Sequence, residues 1–148
     1  HLFDNLSFLT YGVIVDEFQH RVYEKPEMTP AERNAVWNEL EKKYRPYMNA
    51  DGMRYFEKGT RWQYQMHIYE SPFYYIDYCL AQSDALQFLF KSLDDYSAAF
   101  ESYLEFTSHY GSQFFTDMLS EAGIRSPFEK GALKDIAAKS EEILNKLK

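Results

Sequence analysis

One start signal, a proline just inside a serine or threonine cap, recurs three times and constrains this chain more than any other feature. Thr29-Pro30-Ala31-Glu32 and Ser126-Pro127-Phe128-Glu129 read as capping boxes. The hydroxyl satisfies a free helical N–H, the acid returns the bond, and the missing proline donor does no harm. Ser71-Pro72-Phe73-Tyr74 is the same start without the acid. No alternating strand run, internal repeat or low-complexity tract accompanies these starts. The expectation is an all-α, multi-helix chain forming one domain over residues 1–148, with antiparallel neighbours where loops are short.

Periodicity fills in the helices. The first is expected from Tyr11 to Glu24, with Ile14, Phe18 and Val22 as its apolar stripe, ending before Pro26. The second follows Thr29, with Val36, Leu40, Tyr44 and Tyr47 at helical spacing. Pairs Glu39/Lys43 and Glu41/Arg45 support it at i,i+4. Residues 49–60 read as irregular, and 61–69 as ambiguous. A long helix is expected to follow Ser71 and to reach about Leu93. Another begins near Asp94 or Asp95, carries Tyr96, Ala99, Phe100, Tyr103 and Thr107 on one face, and ends at Gly111. Ser112 is expected to cap a shorter helix that stops at Gly123. The last helix places Leu133, Ile136, Ala137, Ser140, Leu144 and Leu147 on one side. On this reading aromatics such as Phe18, Tyr44, Phe100 and Tyr103 belong to the core.

Composition removes several functional classes. The 16 basic residues face 23 acidic ones, so no basic stripe is available to displace counterions from a nucleic-acid backbone. Hydrophobic residues make up 45% of the chain, which argues against disorder. The one cysteine, Cys79, excludes an internal disulfide and any multi-cysteine metal site. No run of about 20 apolar residues exists to span a membrane. The start lacks an initiator Met and a secretory pattern. These features favour a cytoplasmic protein, either processed or cut from something longer.

Four histidines, His1, His20, His67 and His109, are the candidates for chemistry near neutral pH. Glu17 and His20 form a Glu-x-x-His, half of a di-iron bundle motif, but no second copy exists, since Glu105 and His109 are four apart. A solvated polar face with Glu24 explains that pair more simply. No His-Glu-x-x-His occurs either, so the chain holds no standard peptidase zinc signature. Cys79 reads as a buried thiol without an adjacent base. Arg61 and Arg125 read as ion-pair partners before they read as carboxylate binders. The stretch 61–82 is the most informative. A helix beginning at Ser71 puts Tyr75, Tyr78 and Gln82 on one face and Phe73, Ile76 and Leu80 on another. Phenols then lie near a helix start, with His67 just upstream, and such groups can stabilise an oxyanion. The alternative is that the rings fill core and their hydroxyls bond outward.

Three segments together carry a resemblance: residues 11–20 (Tyr11-Gly12-Val13-Ile14-Val15-Asp16-Glu17-Phe18-Gln19-His20), the stretch His67–Gln82, and residues 121–128 (Glu121-Ala122-Gly123-Ile124-Arg125-Ser126-Pro127-Phe128). The chain resembles the C-terminal part of oligoendopeptidase F, in the thimet-oligopeptidase-like zinc metallopeptidase family. The resemblance implies a zincin-like helical enzyme with a deep channel that cleaves short peptides. It implies a zinc held by a His-Glu-x-x-His helix and a downstream Glu, all upstream of His1. It assigns this chain no metal ligand, but gives it substrate-binding and oxyanion-stabilising residues. His67 takes the histidine role, and Tyr75 and Tyr78 the tyrosine roles, with Tyr74 as the adjacent alternative. Glu70-Ser71-Pro72 stands where the thimet branch has a Gly-rich turn. The expected partners are short peptides and the missing N-terminal part of the same enzyme. The competing reading is a non-catalytic helical interaction domain that self-associates through a severed aromatic face.

Overall fold

The computed structural model describes residues 2–146, so His1 and Leu147, both used above, lie outside the described residues. Among the described residues the regular structure is helical and contains no strand. The α-helices are α1 (Leu2–Glu24), α2 (Pro30–Tyr44), α3 (Arg54–Glu57), α4 (His67–Glu70), α5 (Ile76–Asp94), α6 (Tyr96–Ser108), α7 (Phe115–Glu121) and α8 (Ala132–Lys146), with a 3-10 turn at Arg61–Tyr64. The chain divides into two compact units, Phe3–Cys79 and Leu80 onward.

In the first unit, Ile14, Val15 and Phe18 of α1 meet Trp37 and Leu40 of α2 and Trp62 of the 3-10 turn. The Phe18 ring lies 5.2 Å from both indoles. Complete burial of such side chains contributes roughly 1.5–3 kcal/mol each. The capping box before α2 is fully formed: Thr29 accepts from Glu32 N, and the Glu32 carboxylate accepts from Thr29 N. Pro46 keeps α2 from continuing, so Tyr47 falls past its end and is exposed. A Cβ added to Gly12 would sit 2.0 Å from Cys79 Sγ. The absent side chain is therefore what lets α1 approach the first turn of α5.

In the second unit, Leu119, Ala122 and Ile124 form a small core with Phe88 and Phe106 against it. Asp95 caps α6 by accepting from Ala98 N. Lys91 Nζ donates to Ser102 Oγ and to Ala122 O, tying α5 to α6 and to the end of α7. Asp84, in the interior of α5, is 4% exposed, and neither carboxylate oxygen has a hydrogen-bond partner.

Several expectations are corrected. α1 begins at Leu2, nine residues before Tyr11. The expected start at Ser71 is a turn instead, and α5 begins at Ile76. Phe73 has φ 63°, outside helical conformation. The Ser126 start forms bonds in both directions, Ser126 Oγ accepting from Phe128 N and Glu129 accepting from Ser126 N. It does not propagate, because Gly131 turns the chain at φ 92° before α8. Ser112 bonds to His109 O and leaves α7 without a side-chain cap. In α8 the buried residues are Ala132, Ile136 and Ser140, while Leu133 lies exposed. Phe100 and Tyr103 are 50% and 48% exposed, so neither is core in this chain.

Candidate functional site

The residues picked out around Ser71 converge in the first unit. The His67 ring lies 4.9 Å from the Tyr75 ring and 5.7 Å from Tyr78, edge-on to both. Tyr75 and Tyr78 are 5.4 Å apart, and Tyr74 is 5.3 Å from Tyr78. His67 opens the short helix α4, Tyr74 and Tyr75 precede α5, and Tyr78 sits in its first turn. The turn between them brings the histidine back over the phenols. Tyr74 and Tyr78 are 48% and 40% exposed, whereas Tyr75 is half-buried against Tyr11 and Phe8. One imidazole and two phenols thus form a cluster in which each ring braces the others.

Gln19 makes that turn possible, and the sequence reading missed it. This amide is fully buried on the apolar face of α1. Its Nε2 donates to Val15 O at 3.1 Å, and its Oε1 accepts from Phe73 N at 2.9 Å. The second bond fixes Phe73 at positive φ, a conformation an aromatic residue holds only when its surroundings impose it. The Phe73 ring is held further between His20 and Tyr23, 4.9 Å from each. A glutamine at a core position of an amphipathic helix was the available signal.

Burial sets the protonation of the site. The Tyr75 hydroxyl is pushed up to about 12, first by loss of solvent and then by Tyr11, Cys79 and Tyr78, against the pull of Arg61. It remains a neutral O–H donor through the working range. Tyr11 is also raised, by burial first, with Arg61 opposing. Behind the histidine, Tyr11 donates to Gln65 Oε1 at 2.8 Å, and Gln65 Nε2 lies 2.7 Å from His67 Nδ1. A cavity of about 650 Å³ opens beside Tyr11, Gln65, Arg61 and Tyr64.

The remaining candidates take structural roles. Glu17 receives Arg21 at 2.6 Å, Lys43 at 3.0 Å and the Tyr44 hydroxyl. Burial alone would raise its carboxyl, but these bonds outweigh it and lower the group to about 2. His20 is exposed and pairs with Asp16 at 3.5 Å, so Glu17 and His20 serve different partners. Arg61 lies 3.5 Å from Glu41 and over the Tyr11 ring at 4.5 Å. Arg125 pairs with Glu129 and Asp135. The Cys79 thiol is raised to about 11, by burial and then by Asp16, the opposite of an activated nucleophile.

The donors present do not compose the zinc centre that the resemblance implies. The 148 residues contain no His-Glu-x-x-His. One described group, Glu105, His109 and Glu121, gathers three metal-capable side chains but only one imidazole. His109 Nε2 already lies 2.9 Å from Glu105 and 3.2 Å from Glu121, so contacts among these three side chains account for the group.

Known proteins agree with this architecture. The profile described as Peptidase family M3 matches residues 2–138. A crystal structure described as an oligoendopeptidase F has a TM-score of 0.92 and 47% identity, covering 98% of this chain and 26% of that one. PZ peptidase A with an inhibitor has a TM-score of 0.92 and 48% identity, over 99% of this chain and 26% of that one. An oligoendopeptidase F from Bacillus anthracis str. Ames has a TM-score of 0.77 and 40% identity, over 98% and 22% respectively. No curated protein matches the chain. The chain spans about a quarter of the length of the solved structures it matches. With the profile covering all but the last ten residues and the first one, the chain belongs to peptidase family M3.

Proposed function

We propose that the chain is the C-terminal portion of a cytoplasmic zinc-dependent oligoendopeptidase that hydrolyses short peptides. Both compact units then belong to one catalytic domain of that enzyme, and the metal ligands belong to the part outside this chain. The observation that carries the reading is the convergence of His67, Tyr75 and Tyr78 at the start of α5. As a peptide carbonyl becomes tetrahedral, its oxygen gains negative charge. Phenol O–H and imidazole N–H groups held in place stabilise that charge without reorganising at the moment of reaction. Tyr74, the most exposed of the three tyrosines, is proposed to hydrogen-bond the substrate backbone.

This role is tested by separating transition-state binding from ground-state binding. In the full-length enzyme, Tyr78→Phe is expected to weaken a phosphinic peptide, which mimics the tetrahedral oxyanion, by about tenfold or more. A product-like peptide of the same sequence should bind almost unchanged. Equal weakening of both ligands would remove Tyr78 from the oxyanion role.

A second reading, self-association, is favoured by the second unit. There Leu93, Tyr96, Phe100, Tyr103, Leu104 and Phe114 are all exposed, and exposed apolar side chains that form a patch mark interaction surfaces. In the intact enzyme this surface is proposed to face the missing N-terminal part. The isolated 148-residue chain is then expected to hydrolyse no quenched-fluorescence peptide and to scatter light increasingly with concentration. A clean monomer at high concentration argues against that face, and chelator-sensitive turnover with one zinc per chain argues against the assignment of the metal elsewhere.

A further inference from the structure

The hydrogen bonds behind His67 have a direction, and the direction decides which ring nitrogen carries the proton. The series begins at Tyr11. Its hydroxyl is raised by burial, so it keeps its proton. The Arg61 guanidinium lies over its ring, 4.5 Å from the centroid. The Tyr11 hydroxyl donates to Gln65 Oε1, 2.8 Å away. With the amide oxygen engaged, Gln65 turns its NH2 group to His67 Nδ1 at 2.7 Å. An NH2 group only donates, so Nδ1 accepts. A neutral imidazole whose Nδ1 accepts holds its one proton on Nε2.

We infer that Tyr11 and Gln65 are positioning residues that hold His67 as the Nε2–H tautomer and aim that N–H toward the site shared with Tyr75 and Tyr78. The inference rests on the proposed oxyanion role of His67 and adds what makes that role possible. Without the amide, the ring can rotate or carry its proton on Nδ1, and Nε2 then offers a lone pair where a donor is needed. Tyr11 comes from the middle of α1 and Gln65 from the loop after the 3-10 turn. The Tyr11 ring is itself fixed edge-on to Trp37 and Tyr75, so the series is anchored in the core of the first unit.

The test uses the full-length enzyme with four variants and a kcat, KM and pH profile for each. Gln65→Leu removes the donor and is expected to lower kcat on the order of tenfold with KM nearly unchanged, less than the about 10²-fold cost of losing an oxyanion donor outright. Tyr11→Phe should lower kcat less, because the amide stays but is free to flip. Gln65→Glu is the discriminating variant. A carboxylate only accepts, so it draws the imidazole proton to Nδ1. The doubly protonated ring still offers Nε2–H, whereas the neutral ring with its proton on Nδ1 does not. A descending alkaline limb absent from the wild type is therefore expected, and a purely structural residue would not create one. Wild-type kcat and an unchanged pH profile in both Gln65 variants would overturn the inference. His67→Ala separates the two levels: if it lowers kcat while the Gln65 variants do not, only the positioning role falls. If His67→Ala is also silent, the oxyanion role falls with it.

Discussion

In the full-length enzyme, His67→Ala should lower kcat on a short quenched-fluorescence peptide by about 10²-fold while the zinc content stays at its wild-type level. That factor corresponds to about 2.7 kcal/mol of lost transition-state stabilisation. The expectation follows from geometry. His67 lies edge-on to two phenols at 4.9 and 5.7 Å, so its removal takes away one donor and also frees the rings that it braces. Tyr78→Phe should move kcat in the same direction. The double variant should cost less than the product of the two single effects, because donors to one oxygen act as a unit. The checking measurements are kcat and metal content on the same preparations. Loss of zinc with unchanged turnover per bound metal would place these residues among the structural ones.

The second large effect concerns stability. Asp84 is buried in α5 without a hydrogen-bond partner, and loss of solvent raises its carboxyl to about 7. Below about pH 4 the group is protonated in both folded and unfolded chains and does not affect their balance. As the pH rises, the unfolded chain releases the proton first, so the folded state loses stability progressively up to about pH 7. The full penalty above that is at most about 4 kcal/mol, from a shift of about three units at 1.36 kcal/mol each. Asp84→Asn keeps the shape and removes the charge. Its Tm should therefore exceed wild type at pH 8 by several degrees and match it near pH 4. An equal difference at both pH values would show that packing, not ionisation, is at stake. A lower Tm at pH 8 in the full-length enzyme would reveal a basic partner for Asp84 outside this chain.

Helix identity was legible wherever the signal was local. Thr29 and Asp95 cap α2 and α6 as their sequences predict, and the Ile14/Phe18 stripe faces the core. Ser71 and Ser126 carry the same cap-then-proline signal, without the acid at Ser71, and start no long helix, for tertiary reasons. A buried glutamine 54 residues away holds Phe73 out of helical conformation. After Ser126, Gly131 turns the chain, and Arg125 spends its guanidinium on Glu129, Asp135 and Lys130 O. The aromatic residues show the same division. Phe18 is core on pattern alone, whereas Phe100 and Tyr103 follow the same spacing and remain exposed, because periodicity predicts a face but not what covers it. The clustering of His67, Tyr75 and Tyr78 was legible because they lie within 12 residues of one another. Tyr11 and Gln65 were not, because nothing local connects residues 54 apart.

The contact between Gly12 and Cys79 leaves the protein with a reporter of its own breathing. The chain has a single cysteine, and its thiol is buried and raised to about 11. A thiolate is the species that alkylating and disulfide reagents attack, so labelling must wait until α1 lifts away from the first turn of α5. That turn carries Tyr78 immediately before Cys79. The labelling rate therefore counts, one thiol at a time, how often the floor beneath the phenols opens, without any added probe.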